Sequence, residues 1–428
     1  MKSLAAVFKH IGPSNQCTGF LAEDRLRPLS PAGSNGKNLF RTGVILLLTA
    51  LLFQFEKREG LAQISDDIQI GGYVQGLPAW IDADLPLPLD QDSFWEYRLQ
   101  NRLNVRWFST SELSFTWQMR TRLFAGDLVE SIPFYADAID MDDGYFNLSW
   151  LAVDRDKWLL HYIPDRLYVE WAGQDWTIRA GRQRINWGIN MVTNPNDIFN
   201  IYSFYDFDYP ERPGTDAIRI QRYTGIFSRW ELAASPARNS RESVAALMYG
   251  SNVRGYDYQL IAGYFRHRLA TGGGWAGSVG ESGFKGELML FTDLEDEGGG
   301  RETNWIAALS VDHMFDNSLY LVVEGLYNHQ GGREEFLLFG EPLSADNPSF
   351  SRFQLTGHAT YPFSPIFNGS LALIWYPDEE AIFLSPSIDY SVTQNTDFRL
   401  LAQLFTGSSD SAFDSAGSVV AASLRWNF

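Results

Sequence analysis

From Tyr97 to Trp107 the chain alternates without a break. Tyr97, Leu99, Asn101, Leu103, Val105 and Trp107 fall on one side, and Arg98, Gln100, Arg102, Asn104 and Arg106 on the other. Side chains of an extended strand point to opposite faces with a period of two, so one face here is greasy and the other cationic. The next stretch repeats the rule, with Leu113, Phe115, Trp117, Met119 and Leu123 opposing Glu112, Ser114, Thr116, Gln118, Arg120 and Arg122. Helical spacing fits neither segment. Later segments keep the pattern: Phe353, Leu355, Gly357, Ala359 and Tyr361 oppose Gln354, Thr356, His358 and Thr360.

A soluble β-sandwich also alternates. Here, however, the apolar face keeps Trp and Tyr near strand ends, where bilayer interfaces favour them. A sheet that crosses lipid must satisfy every backbone amide within its own wall, which only a closed barrel does. The chain's last residues follow suit: Val420, Ala422, Leu424, Trp426 and Phe428 share one face. This ending resembles the C-terminal signal of bacterial outer-membrane barrels. The resemblance implies Leu424, Trp426 and Phe428 as an assembly signal read by the barrel-assembly machinery, with outer-membrane lipid around the wall.

Thr42 to Phe55 is apolar but spans only 14 residues, short of the ~20 a membrane helix needs. With Lys37 and Arg41 before it and Gly60-Leu61-Ala62 after it, the stretch has the parts of a secretory signal, cleaved after Ala62. The expected domains are therefore a signal peptide at 1–62 with an extended N-region, and a barrel at 63–428. Cys17 lies upstream of the cut, so the exported chain has no cysteine for a disulfide or a metal. The whole chain has 34 Lys/Arg and 52 Asp/Glu, and residues 1–62 carry eight and four of these. The remainder is 26 − 48 = −22, which argues against nucleic acid as a partner.

Outer-membrane barrels have short turns at one end, longer loops at the other and an even strand number. Strands near 67–76, 94–108, 112–124, 166–173, 175–183, 215–224, 227–235, 242–250 and 255–267 alternate in this way. So do those near 283–292, 304–315, 318–329, 351–361, 367–376, 381–392, 396–407 and 417–428. Parity requires one more strand between 268 and 282, giving an antiparallel up-and-down barrel of 18 strands, with 16 as the alternative if the short strands merge. Long loops fall at 125–165, 184–214, 293–303 and 330–350.

Inward positions on the early strands collect Arg98, Arg102, Arg106, Arg120, Arg122, Arg179 and Arg219, with Gln183 and Gln221 between them. Neighbouring strands lie about 4.8 Å apart, so these side chains share one inner wall. Two readings are open: a cationic patch that selects anions, or a lattice in which the arginines pair with Glu112, Glu170 or Glu231. The 31-residue loop 184–214 carries Asp197, Asp206, Asp208 and Glu211. Long connections of this kind tend to be functional. Folded inward, it would be a constriction whose acids face the arginines; folded outward, it would pack on its own aromatics.

Gly181-Arg182-Gln183, Trp187-Gly188 and Asp216-Ala217-Ile218-Arg219 resemble the strand, loop and strand motif of alginate-export-type barrels. Asn194-Pro195, Asp197 and Arg212-Pro213-Gly214 resemble related porin-like outer-membrane families. The first resemblance implies 18 strands and an arginine-rich lumen for an anionic polysaccharide, with Arg179 and Arg219 facing it.

The histidines after the cut are His161, His267, His313, His329 and His358, and none sits in a G-x-S-x-G or H-E-x-x-H setting. Asp137, Asp140, Asp142 and Asp143 lack EF-hand spacing. No enzyme activity, cofactor or metal site is expected. The reading is a passive outer-membrane channel for small, anionic solutes or oligosaccharides. The alternative is a non-conducting barrel acting as a surface binding or adhesion protein.

Overall fold

A computed structural model describes residues 67–83, 91–200, 205, 209, 211–295, 301–331, 343–408, 411, 413 and 417–428. The predicted signal peptide, Asp206 and Asp208 lie outside these residues. The chain forms β1 (Ile68–Asp82), β2 (Ser93–Phe108) and β3 (Leu113–Gly126), then two short helices, α1 (Asp127–Ser131) and α2 (Tyr135–Ile139). Next come β4 (Trp150–Arg155), β5 (Trp158–Ala172), β6 (Trp176–Gln183), β7 (Thr215–Tyr223), β8 (Arg229–Ser235), β9 (Val244–Val253) and β10 (Tyr256–Phe265). They are followed by β11 (Arg268–Val279), β12 (Ser282–Asp293), β13 (Thr303–Met314), β14 (Tyr320–Asn328) and β15 (Phe353–Ser364). The last four are β16 (Phe367–Tyr376), β17 (Ala381–Thr393), β18 (Thr396–Thr406) and β19 (Ser418–Asn427).

Each wall strand pairs antiparallel with its neighbours, and β1 pairs with both β2 and β19, which closes the sheet. At the seam, Gly72 and Phe428 exchange backbone hydrogen bonds of 3.0 Å in both directions. β4 pairs only with the start of β5, while β3 and β6 flank β5 as its wall neighbours. The wall is thus an 18-strand closed barrel, and β4 is a short extra strand beside it.

Two departures from the expected strand limits have a common cause. β1 continues to Asp82 past Pro78, where its pairing to β19 is interrupted. β5 begins at Trp158, inside the expected 125–165 loop, and contains Pro164 at a register shift against β3. Proline donates no ladder bond, so it reads as a strand end, although bulges and irregular edges accept it. The shift also lets Asp165 and Arg166 both become buried, one residue after the other.

The outward face carries an apolar belt between two rows of aromatics. Trp107, Phe115, Trp171, Trp176 and Tyr223 lie near the short-turn ends, and Trp95, Trp305, Phe353 and Trp375 near the other, all exposed. Leu424 and Trp426 share the face of β19 that carries the exposed Val420, and Phe428 follows just beyond the strand with its ring 5.4 Å from that of Trp426. Such a belt inside two girdles is what hydrocarbon and headgroups require of an outer-membrane barrel, and this is an integral one. The connections of two to five residues mark the periplasmic end. At the other end two connections between wall strands are also short, residues 377–380 and the pair Arg266 and His267, which turn the chain with φ of 43° and 71°, as a two-residue primed hairpin demands.

Candidate functional site

The described residues of the 184–214 loop lie inside the barrel. Near the end of β6 stands Gly181, whose φ of 119° favours glycine and where a Cβ would collide with the Leu167 carbonyl oxygen. Gln183 follows, fully buried, donating to the Ala217 carbonyl at 3.0 Å. Trp187 then donates its indole N–H to Glu231 at 2.6 Å, and its carbonyl accepts from Gln259 at 2.5 Å.

Backbone without regular structure must still find partners when it is buried. Two inward glutamates supply them. Glu287 on β12 accepts from the N–H groups of Ile189, Asn190 (2.7 Å) and Asn196 (2.8 Å). Glu324 on β14 accepts from Val192 (3.0 Å) and Thr193 (2.7 Å). Ser310 on β13 donates to the Asn190 side chain at 2.9 Å, and Gln354 on β15 to Thr193 at 3.3 Å. The loop's apolar side, Ile185, Trp187 and Ile198, packs with Met248, Ile261, Met289, Phe291, Ile306 and Leu326 of the wall.

Further along, Tyr205 is hydrogen-bonded to Tyr376 on β16, and its carbonyl accepts from Gln403 on β18 at 3.0 Å. Tyr209 donates to Asp165 on β5. Glu211 accepts from Tyr73 on β1 at 3.2 Å and lies 3.9 Å from Arg102 and 3.8 Å from Arg425. Residues 187–196 find partners on β8, β10 and β12 to β15, Tyr205 on β16 and β18, Tyr209 on β5, and Glu211 on β19, β1 and β2. The described parts of the loop thus contact the inner wall at well-separated strands. Above it, α1 and α2 place Leu128, Ile132 and Tyr135 against Leu77, Phe94, Phe124 and Leu159, filling the external side of the early strands.

The arginines are brought together and are mostly paired. Arg98 bonds Glu96 at 2.5 Å, and Arg106 bonds Glu170 at 3.0 Å. Arg102 bonds Asp165, Asn104 at 3.0 Å and Gln118 at 2.8 Å. Arg120 sits 3.3 Å from Asp165 and 3.4 Å over the Tyr209 ring. Arg179 shares Glu170, and Arg219 and Gln221 bond Glu231 at 2.5 and 2.8 Å. Glu112, a candidate partner, instead accepts from the Trp171 indole at 3.1 Å. Arg122 has a neutral partner, His161 Nδ1, at 3.0 Å.

Of the loop acids, Glu211 alone among the described residues faces the arginine wall. Asp197 is buried elsewhere, with neither carboxylate oxygen hydrogen-bonded. Burial pushes its carboxyl up to about 8, against the pull of Arg184. Sequence reading missed Asp165, Arg166 and Arg425, which complete the cationic wall, and the two anchors Glu287 and Glu324. A lone glutamate among apolar inward positions, as in Val322, Glu324 and Leu326, was the available signal.

Arg182, placed in the motif, pairs with Asp216 at 2.9 Å and Asp142 at 2.8 Å, and donates to the Phe146 carbonyl of the external loop. Burial alone would raise the Asp142 carboxyl. The Arg182 guanidinium and the N–H groups of Leu148 and Gly144 outweigh it and hold the group below the usual carboxylate range. A second tie joins Arg122 to this loop through His161, Ser149 and Asp140. Arginine only donates, so His161 Nδ1 accepts and Nε2 carries the proton. It therefore donates to Ser149, the wrong direction for activating a nucleophile.

Below the loop lie two cavities. One, of about 420 Å³, is lined by Tyr73, Arg102, Arg166, Glu211, Arg425 and neighbouring amides. The other, of about 780 Å³, is lined by Met191, Val192, Met314, Val322, Pro362 and other mostly uncharged residues.

No protein-family model matches the chain, and no curated protein matches it. Among solved structures, OccAB2 of Acinetobacter baumannii superposes with a TM-score of 0.53 at 10% identity, over 86% of this chain and 99% of that one. OccAB3 of the same organism gives 0.53 at 11%, over 85% and 100%, and OccAB4 gives 0.53 at 8%, over 86% and 100%. At such identities the likeness is one of fold: the chain has a porin-like barrel architecture.

Proposed function

We propose that this barrel is a constricted outer-membrane channel for small anionic solutes or oligosaccharides. The observation that carries the reading is the stretch from Ile189 to Asn196, whose backbone is held inside the barrel at Glu287 and Glu324. A sealed barrel has no need of a segment pinned to its inner wall, whereas a selective pore needs a fixed narrowing.

The charge balance supports anions. Among the described residues, ten inward arginines, 98, 102, 106, 120, 122, 166, 179, 219, 229 and 425, face five carboxylates within reach, Glu96, Asp165, Glu170, Glu211 and Glu231. The difference, 10 − 5, leaves five positive charges on this wall, and rings of charge set pore selectivity. The resemblance of the Gly181–Gln183 and Asp216–Arg219 segments to alginate-export-type barrels supports the same sign of cargo.

A second reading, a non-conducting surface-binding barrel, draws on the filled external half and on exposed Tyr145, Phe146 and Trp150. Refolded residues 63–428 in a planar bilayer under a salt gradient separate the two. Discrete openings with an anion-biased reversal potential are expected. A folded but silent barrel would favour surface binding, and a cation-biased reversal would overturn the charge assignment.

A further inference from the structure

On the outward face of β6 to β9, the periplasmic half is apolar and aromatic except for one cation. From Ala217 to Arg222, β7 alternates strictly. Arg219 and Gln221 turn inward to the buried Glu231, so the exposed Ile218, then Ile220 and Arg222, point away from the lumen. Arg222 is the penultimate residue of β7, beside the short turn 224–228, which sets it at the periplasmic interface. Around it the outward positions are Trp176, Ile178, Ile220, Trp230, Leu232 and Tyr249, none of them charged.

Both cross-strand partners of Arg222 are tryptophans, Trp176 on β6 and Trp230 on β8, and both are exposed. The guanidinium lies 5.1 Å from the Trp176 ring centroid, and it has no ion pair among the described residues. Trp230 packs on Tyr249 at 4.6 Å, and Tyr249 lies 6.2 Å from Tyr258. Beside Trp230, the Ser228 and Ser251 hydroxyls are hydrogen-bonded at 2.8 Å. Ser228 is two residues from the direct partner of Arg222, a diagonal neighbour at about 7–8 Å and within reach of so long a side chain.

An arginine turned toward hydrocarbon is costly unless it finds an anion. Tryptophan belts sit at headgroup level, and the guanidinium fork matches a phosphate bidentately. With no carboxylate on this face to cancel it, the cation favours a lipid of net negative charge over one whose own ammonium offsets its phosphate. We propose that Arg222, Trp176, Trp230 and the Ser228–Ser251 pair bind an anionic, hydroxyl-bearing phospholipid headgroup of the periplasmic leaflet, with the chemistry of phosphatidylglycerol. The phosphate takes the guanidinium, and the glycerol takes the serine hydroxyls. This goes beyond the channel reading and holds for a conducting or a silent barrel.

The test is native mass spectrometry of the folded barrel in micelles, titrated with phosphatidylglycerol and with phosphatidylethanolamine of the same acyl chains. Phosphatidylglycerol is expected to bind roughly fivefold more tightly, the scale one interfacial arginine contributes beside anionic lipid. Arg222→Gln should abolish that preference, and Ser228→Ala with Ser251→Ala should reduce it. Arg254→Gln, at the β9–β10 turn of the same rim but outside the tryptophan pair, should leave it unchanged. Equal affinities, or a preference that survives Arg222→Gln in a folded barrel, would overturn the inference. So would a lipid-free dimer lost in that variant, which would assign the face to a second copy of the chain.

Discussion

The two halves of the lumen hold their buried polar groups in different ways. Around β1 to β7 and β19, carboxylates pair with arginines: Asp165 serves Arg102 and Arg120, and Glu170 serves Arg106 and Arg179. Around β12 to β15, the inward glutamates meet no arginine, and accept backbone N–H groups from the loop instead. The first arrangement leaves excess charge on a surface a solute can approach. The second consumes its charge in holding a segment of chain. A carboxylate inside a barrel therefore gains its role from what it accepts: side-chain cations make a selective wall, and backbone donors make an anchor.

The polar half should break most severely. Asp165→Ala leaves Arg102 and Arg120 buried with their shared counter-ion gone, a loss of about 3–5 kcal/mol. A large drop in the urea midpoint of the micelle-folded barrel would show it, and an unchanged midpoint would mean these cations are solvated. In the same half, Gly181→Ala must adopt a φ of 119° and meet the Leu167 carbonyl, at a cost of about 1–3 kcal/mol. Its expected signature is a lower temperature for loss of the compact form on unheated gels. The remaining effect is a pH dependence of the 184–214 loop. The Asp197 carboxyl lies at about 8 in the folded loop against 3.8 in an unperturbed aspartate, so the folded state holds the proton more tightly. Its contribution is complete below about pH 4 and is lost as pH rises toward 8. Protease nicking of the loop should quicken between pH 5 and 9 in the wild type and stay flat in Asp197→Asn.

The wall was legible because lipid outside and water inside impose a two-residue period, which Tyr97–Trp107 displays in full. The C-terminal face was legible for the same reason. What escaped reading had local causes. Pro78 and Pro164 interrupt the ladder without ending their strands, which hid the tops of β1 and β5 and the β4 hairpin. The bulge at Pro164 lets the adjacent Asp165 and Arg166 both be buried, which strict alternation forbids. The inward course of loop 184–214 was one of two open readings. Its anchors lie about a hundred residues away, so no local pattern could identify them. The motif around Gly181 and Asp216 was visible, yet Arg182 and Gln183 serve to tie down chain rather than line a pore.

The central claim is that Glu287 and Glu324 hold the loop as the channel's narrowing. Single-channel conductance of the Glu287→Ala, Glu324→Ala double variant, compared with wild type, tests it most directly. Each truncation strands two or three buried N–H groups, costing about 1–3 kcal/mol apiece, so the loop should leave the wall. The account predicts a severalfold rise in conductance, with the barrel still folded on unheated gels. An unchanged conductance from a folded double variant would contradict it.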